Sequence, residues 1–247
     1  MRADQLLVDR GLAASRSQAQ RLIAAGVRWF DGARWMPVSK NGDEIPVQAQ
    51  LELLDTAEAR YVSRGGLKLE GALRAAGLDV TGWTCLDVGQ STGGFTDCLL
   101  QHGAAAVTGV DVGHGQLHPK LRQDARVVAI EKVNARDLRD EQVGGHFDLV
   151  TGDLSFISLT LVLPALAPLV RPGGHLLMLA KPQFELQPQQ IGKGGVVRDA
   201  SFYPVVEQRL RECCAGLGLN VVGWYDSPIA GGDGNREFFL HAQTRSA

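Results

Sequence analysis

The 247-residue chain has few cysteines, no long apolar run and no marked charge excess, and each absence excludes a class of protein. Its four cysteines form no C-x-x-C pair, so neither a disulfide framework nor a zinc site is predicted. The longest apolar stretch, 159–170, is too short to span a bilayer and contains two prolines. The amino terminus lacks the apolar core of a secretory signal. We therefore expect a cytoplasmic protein with neither a membrane segment nor a metal centre.

The net charge of −2 gives no overall attraction to nucleic acid, so any basic surface must be local. Residues 1–60 show a helical period, a hairpin with an Asp-Gly turn and a short strand, which predicts a small α+β domain. Over residues 84–247, short β-rich runs alternate with helical stretches, as in a parallel sheet wound with helices. Residues 61–83 are expected to link these regions and to begin the second domain.

The stretch "LDVGQSTGGFTD" places Gly89, Gly93 and Gly94 where the first strand of the sheet turns into a helix. Glycines at such a turn let a ligand approach the backbone. Ser91 stands where a dinucleotide motif needs its second glycine, and the P-loop pattern is absent, which disfavours a nicotinamide or a nucleoside triphosphate. Asp111 ends the next strand, where a carboxylate can accept both hydroxyls of a ribose. A tight turn without a ligand is the alternative.

Lys181 follows a buried strand in "LLMLAKPQFE". Lysine is almost never fully buried without a partner, and a single strand-end lysine usually extends its head into water. A catalytic role for Lys181 therefore needs partners elsewhere in the chain.

Longer blocks of sequence carry a resemblance to a known family. "LDVGQSTGGFTD" resembles the S-adenosylmethionine loop of the FtsJ-like ribose methyltransferases. Over nearly the whole chain, "VSRGGLKL", "VDVGHGQL", "DLSFISL", "KPQFE", "GKGGVVRD" and "SPIAGGDGNREFF" resemble, in order, blocks of the hemolysin-A (TlyA) family. Gln90 and His114 depart from the pattern, at positions where a small residue and an aromatic are common. We expect Gln90 to crowd or contact the methionine end of the cofactor.

The resemblance implies a Rossmann-like, seven-stranded α/β methyltransferase sheet over residues 84–247, mostly parallel with one antiparallel strand. It also implies methyl transfer from S-adenosyl-L-methionine to a ribose 2′-oxygen, of cytidine, in ribosomal RNA or ribosomal subunits. The residues expected at the cofactor are Asp87, Gly89, Gln90, Ser91, Gly93, Gly94, Phe95, Asp111, Asn134 and Asp153.

The same resemblance implies a Lys-Asp-Lys-Glu tetrad formed by Lys68, Asp153, Lys181 and Glu237. A ribose hydroxyl is a weak nucleophile, and removal of its proton helps it to attack a sulfonium methyl group. A lysine becomes a base when burial or a neighbouring cation favours its neutral amine. We hypothesise that Lys181 is this base and that Lys68 supplies the cation. A purely structural ion-pair network is the alternative.

Residues 1–60 resemble the small RNA-binding domain of the ribosomal S-four type. The first forty residues carry seven basic and three acidic side chains, and a basic helical face is the expected footprint of phosphates. The residues expected to bind RNA are Arg2, Ser15, Arg16, Arg21, Arg28, Arg60 and Arg64. A solvated arginine-bearing face is the alternative.

The sequence lacks two motifs of enzymes that methylate bases, which favours a ribose oxygen as the methyl acceptor. The Asn/Asp-Pro-Pro-aromatic block of base amino-group methylation is replaced by "DLSF", and no cysteine follows a proline as in carbon-5 methylation of pyrimidines. Two other functions stay open: an RNA-binding protein with an inactive or weak cofactor site, and a pore-forming protein, as the family's name suggests. The oligomeric state is not predicted.

Overall fold

Two units divide the chain, residues 1–67 and residues 68–247, and the boundary falls within the segment 61–83. The computed structural model describes residues 1–13, 15–54 and 60–245. In the described ranges, no helix has both the length and the apolar content needed to cross a membrane.

In its described residues, the first unit contains two complete helices and a three-stranded antiparallel sheet of order β2-β1-β3. Its elements are α1 (Ala3–Asp9), α2 (Arg16–Gly26), β1 (Val27–Phe30), β2 (Trp35–Pro37) and β3 (Leu51–Leu53). Ser15 caps α2 by accepting a hydrogen bond from the Gln18 amide. In the predicted hairpin turn, Asp31 Oδ1 accepts from the Ala33 and Arg34 amides, which brings β1 and β2 into register.

The second unit is built on seven strands in the order β6-β5-β4-β7-β8-β10-β9. Their bounds are β4 (Thr84–Val88), β5 (Ala106–Asp111), β6 (Val127–Glu131), β7 (Phe147–Gly152), β8 (Val170–Ala180), β9 (Asn220–Asp226) and β10 (Phe238–Gln243). Strand β10 runs antiparallel to both of its neighbours, and the pairs among β4 to β8 are parallel. The predicted seven-stranded sheet with one antiparallel strand is confirmed.

Helices connect and cover these strands. They are α3 (Gly65–Ala76), α4 (Gly94–Gln101), α5 (Pro119–Arg122), α6 (Asp140–Val143), α7 (Leu159–Leu166), α8 (Pro182–Glu185) and α9 (Phe202–Gly216). Leu163 of α7 and Leu210 of α9 are fully buried in one cluster with Leu176 and Leu240 of the sheet. Apolar strands buried in this way are characteristic of parallel sheets.

The direction of each strand determines at which edge of the sheet the polar residues next to it lie. The parallel strands β4, β5, β7 and β8 all end at one edge of the sheet, where ligands bind in folds of this type. Because β10 is antiparallel, it begins at this same edge, with Phe238 opposite Ala180. Glu237, just before β10, therefore lies beside residues that follow the other strands.

Candidate active site

Four charged side chains of alternating sign form a chain at this edge. Lys68 Nζ lies 2.5 Å from Glu237 Oε2 and 3.9 Å from Asp153 Oδ2. The other carboxylate oxygen of Asp153, Oδ1, lies 2.6 Å from Lys181 Nζ. The structure thus brings together the four residues named for the tetrad, in the order Glu237–Lys68–Asp153–Lys181.

Three of the four residues are buried: Lys68 is 7%, Lys181 9% and Glu237 3% exposed. Buried charges need partners, and the alternating order gives each lysine a carboxylate. Lys181 Nζ also donates to Ser155 Oγ at 2.9 Å and lies 5.9 Å from the centre of the Phe184 ring. Lys181 is therefore held by two groups of the loop that follows β7, Asp153 and Ser155, and lies near an aromatic ring of its own segment.

A cavity of about 580 Å³ opens at the ends of β4, β5 and β7. Five of the predicted cofactor residues line it: Gly89, Ser91, Asp111, Asn134 and Asp153. Its volume is that of a typical small-ligand site. Apolar walls come from Val112, Val133, Ala135, Leu154 and Ile157.

Asp111 is fixed at the polar side of this cavity. Its Oδ2 accepts a hydrogen bond from the Ser91 amide and its Oδ1 accepts one from the Gly113 amide, both at 2.7 Å. Each carboxylate oxygen keeps further acceptor capacity. A ribose whose hydroxyls donate to Asp111, with its base against the apolar walls, fits this arrangement.

Gly89 lets the loop after β4 approach the end of β7. Its φ is +84°, and a Cβ atom there would lie 2.8 Å from the carbonyl oxygen of Asp153. A larger residue would therefore be strained and would displace Asp153. The glycine loop and the tetrad are coupled through this contact.

The other loop residues named for the cofactor do not line the cavity. Gly93 caps α4 with φ +94°, and Gly94 begins that helix. Phe95 is buried and stacks on Phe239, with ring centres 6.1 Å apart. These three residues therefore fix the start of α4, and so the conformation of the loop, without facing the cavity.

Gln90 is also turned into the protein. Its Nε2 donates to Thr96 Oγ1 at 2.9 Å, and a Cβ atom on Gly109 would lie 1.9 Å from Nε2. The Gln90 side chain therefore occupies the space that Gly109 leaves open in β5. Gln90 is expected to crowd or contact the methionine end of the cofactor. Its side chain packs against the sheet and is not among the residues that line the cavity, and its effect on the cofactor stays a prediction.

Asp87 lies beneath this loop, fully buried, and its Oδ2 accepts from the Thr96 amide and hydroxyl at 3.0 and 2.7 Å. Burial raises the pKa of Asp87 to about 7, although the two Thr96 hydrogen bonds act in the opposite direction. Its Oδ1 has no hydrogen-bond partner in the described residues. The Asp87 carboxyl group thus holds Thr96, in the first turn of α4, from within the protein interior.

A second cavity, of about 380 Å³, adjoins Lys181 and shares Ser155 and Phe156 with the first. Phe156 is 89% exposed, has φ +63° and lies 5.2 Å from the Phe184 ring. A bulky residue with positive φ is uncommon, and such strain concentrates at functional sites. Sequence reasoning missed Ser155, Phe156, Gln183, Phe184 and Asp233 as site residues, although the blocks "DLSF", "KPQFE" and "GGDGN" contained them.

A glycine-containing loop, 191–199, forms part of the second cavity through Ile191, Gly194 and Gly195. Asn235, which is buried, holds this loop: it accepts from the Val197 amide and donates to the Gly195 carbonyl, both at 2.9 Å. The loop is therefore tied to the segment that carries Glu237.

In the first unit, several of the arginines named for RNA are paired with carboxylates. Arg2 and Arg16 each lie 3.0 Å from Oδ2 of Asp4, which is fully buried. The two hydrogen bonds from Arg2, together with the one from Arg16, hold the pKa of Asp4 well below its usual range. Arg28 Nε lies 2.6 Å from Glu52 Oε2.

The remaining residues named for RNA have local roles in the same unit. Ser15 caps α2, and Arg21 donates to the Ser17 carbonyl. The Arg60 guanidinium lies 6.0 Å from the centre of the Tyr61 ring, and Arg64 is half-buried ahead of α3. RNA binding by this unit stays a prediction.

Comparison with known proteins shows to which class of enzyme the chain belongs. The model of the FtsJ-like methyltransferases matches residues 61–244. The solved structure of an S-adenosylmethionine-dependent methyltransferase from Mesorhizobium loti shares the fold, with a TM-score of 0.52 at 15% identity over 71% of this chain and 97% of that one. The chain is a methyltransferase and its cofactor is S-adenosylmethionine, as predicted.

Full-length relatives define the family more narrowly. The 16S/23S rRNA (cytidine-2′-O)-methyltransferase TlyA of Mycobacterium tuberculosis is 46% identical over 99% of this chain and 90% of its own. Hemolysin A of Brachyspira hyodysenteriae is 38% identical over 98% and 99%. A solved structure from Streptococcus thermophilus, described as a hemolysin, has a TM-score of 0.77 at 41% identity over 100% of this chain and 89% of that one. The chain belongs to the TlyA/hemolysin A family of FtsJ-like methyltransferases.

Proposed function

We propose that the protein transfers a methyl group from S-adenosylmethionine to the ribose 2′-oxygen of a cytidine in ribosomal RNA, with Lys181 as the general base. One observation carries this proposal. Asp153 lines the cofactor cavity and binds Lys181, which lines the second cavity. A donor in the first cavity and an acceptor in the second would therefore meet at the Lys181 amine.

The cofactor supplies an electrophilic methyl group on a positively charged sulfur. In transfer, the bond from the ribose oxygen to that carbon would form as the carbon–sulfur bond breaks, and Lys181 would accept the hydroxyl proton on its amine nitrogen. The products are a 2′-O-methyl nucleoside, the thioether form of the cofactor and the Lys181 ammonium. Asp153 then holds that ammonium at 2.6 Å, in the ion pair seen here.

Lys68 has a different part in this proposal. Its ammonium is paired with Glu237 and approaches the second oxygen of Asp153 at 3.9 Å. In this proposal Lys68 is the second cation beside Asp153, the kind of neighbour that helps a lysine to act as a base. The fixed positions of these four groups would restrict how the hydroxyl can lie beside the methyl group, and such positioning supplies much of the rate in reactions of this kind.

Ribosomal RNA as the substrate is supported by the names of the relatives from Mycobacterium tuberculosis and Campylobacter jejuni, both rRNA (cytidine-2′-O)-methyltransferases. Residues 1–60 would bind RNA outside the target nucleotide. The exposed Phe156 ring would stack on the base of a nucleoside that has left its helix. Such a substrate implies a cytoplasmic location.

The test uses ribosomal subunits that lack 2′-O-methylation and S-adenosylmethionine labelled on its methyl group. Wild type should transfer label to an alkali-resistant position, and Lys181→Ala should lower the rate by about 10²- to 10⁴-fold. Lys120→Ala is the matched control, because Lys120 is largely exposed and pairs with Asp97 outside both cavities. Label that survives in Lys181→Ala would assign the base to another group. RNA binding without any transfer by wild type would favour the alternative, an RNA-binding protein with an inactive cofactor site.

A further inference from the structure

Gln183 and Asp233 form a polar end to the second cavity. Gln183 is 9% exposed, lines the cavity and donates from Nε2 to Asp233 Oδ2 at 3.3 Å. Because only the amide nitrogen can donate to a carboxylate, this contact sets the orientation of the amide. Gln183 Oε1 is left buried, and it has no hydrogen-bond partner in the described residues. A donor that reached this oxygen would offset the cost of leaving it unpaired.

Asp233 is fixed as an ionised acceptor beside Gln183. Asn235 donates to Asp233 Oδ2 from its side chain at 2.8 Å and to Oδ1 from its backbone at 3.1 Å. Partial burial acts to raise the pKa of Asp233, but these hydrogen bonds outweigh it, and the pKa is lowered from its ordinary value. This end of the cavity is therefore lined by two residues whose side-chain oxygens accept hydrogen bonds, the carboxylate of Asp233 and the amide of Gln183.

Aromatic and basic groups define the rest of the cavity. Phe156 and Phe184 supply ring faces, and Lys181 marks the position proposed for the ribose hydroxyl. A nucleoside with its ribose at Lys181 and its base against these rings would direct the edge of the base toward Gln183 and Asp233. Base edges differ in what they offer there: cytosine has an amino group where uracil has a carbonyl oxygen.

We propose that Gln183 and Asp233 select cytidine by accepting hydrogen bonds from its exocyclic amino group. Uridine would place a carbonyl oxygen against the same acceptors, and its repulsion by Asp233 would disfavour it. This inference rests on the proposed function, since it assumes that the nucleoside is methylated at Lys181.

The test compares two sets of unmethylated ribosomal subunits. One set carries the natural cytidine at the mapped target, and the other carries uridine there. Wild type should methylate the cytidine set faster by roughly tenfold to a hundredfold. Asp233→Asn offers an amide N–H to a carbonyl oxygen, so it should lower this ratio at least fivefold, mainly by raising the rate on uridine.

Gln183→Leu should lower the rate on cytidine about tenfold with little effect on uridine. Gln208→Leu is its matched control, since Gln208 is an exposed residue of α9 that bonds Glu212, and it should leave both rates unchanged. Calorimetric titration with S-adenosylmethionine checks that each variant keeps its cofactor cavity.

Equal rates of wild type on cytidine and uridine would overturn the inference and leave the proposed function intact. So would an Asp233→Asn variant that loses both rates in proportion, because that is the behaviour of a merely structural residue. No transfer by wild type to either set would overturn the proposed function itself.

Discussion

The ammonium of Lys181 lies 2.6 Å from Asp153 Oδ1, and the backbone amide of that same aspartate donates to the carbonyl of Val88, just before Gly89, at 3.2 Å. One residue thus connects the cofactor cavity with the proposed base. Because Asp153 holds Lys181 as an ion pair, the lysine has two separable roles: as a cation that stabilises the site and as an amine that accepts a proton. A substitution that keeps the positive charge but cannot accept a proton distinguishes these two roles.

Lys181→Arg keeps the positive charge and the partner Asp153 but cannot act as a base at neutral pH, because arginine does not lose its proton in proteins. We expect a loss in single-turnover rate of about 10²- to 10⁴-fold. Thermal unfolding should show a stability close to that of wild type. An arginine variant that kept more than about a tenth of the wild-type rate would contradict a base at this position.

Glu237→Gln removes the carboxylate that compensates buried Lys68. Breaking a buried pair is strongly destabilising, and Lys68 would keep only the more distant Asp153, at 3.9 Å, so we expect the free energy of unfolding to fall by about 3–5 kcal/mol. Asp226→Asn is the matched control, since it breaks the exposed pair with Arg236 and should cost less than about 1 kcal/mol. Urea unfolding measures both, and equal losses in the two variants would refute the burial argument.

Gly109→Ala places a Cβ atom where the Gln90 amide lies, only 1.9 Å from Nε2. Overpacking of this kind should destabilise the protein by about 1–3 kcal/mol. In a Gln90→Ala background the same substitution should cost markedly less, because the space is then free. A double-mutant cycle from denaturant unfolding checks this, and strict additivity would show that the two positions are independent.

Gln90→Ala should leave the affinity for S-adenosylmethionine within about threefold of wild type, because the side chain is buried against β5 and lies outside the cavity. Asp111→Ala, which removes the carboxylate at the cavity wall, should weaken binding at least tenfold. Isothermal titration compares the two. A large loss for Gln90→Ala would mean that the residue contacts the cofactor after all.

The raised pKa of buried Asp87 should make the stability of the protein depend on pH. Burial raises its pKa to about 7, and the carboxyl of the unfolded chain has a pKa of about 3.9, so between these values the folded state holds a proton that the unfolded state has released. The contribution of Asp87 to stability therefore falls as pH rises through this window, by at most about 1.4 kcal/mol per pH unit.

Asp87→Asn cannot titrate and should remove that slope. Unfolding free energies of wild type and variant at pH 5 and pH 7 give the difference, in which the contributions of all other groups cancel. The variant should gain on wild type as pH rises. A difference independent of pH would show that Asp87 titrates alike in the folded and unfolded states.

The alternation of β-rich and helical runs after residue 84 was enough to predict the parallel sheet, because that periodicity reflects burial on both faces of each strand. The positions of Asp111, Asp153 and Lys181 at strand ends followed from the same pattern. These features depend only on residues close together in the chain, so they can be predicted from short windows of sequence.

Only the tertiary structure decided which of the named residues meet. Glu237 reaches the tetrad because β10 is antiparallel and begins at the edge where the other strands end, a fact of topology that no short window contains. Gln90 faces inward because Gly109, on a neighbouring strand, leaves space for it. Gln183 and Asp233 meet although fifty residues separate them, because side-chain pairs across a fold depend on how its elements pack rather than on their spacing in the chain.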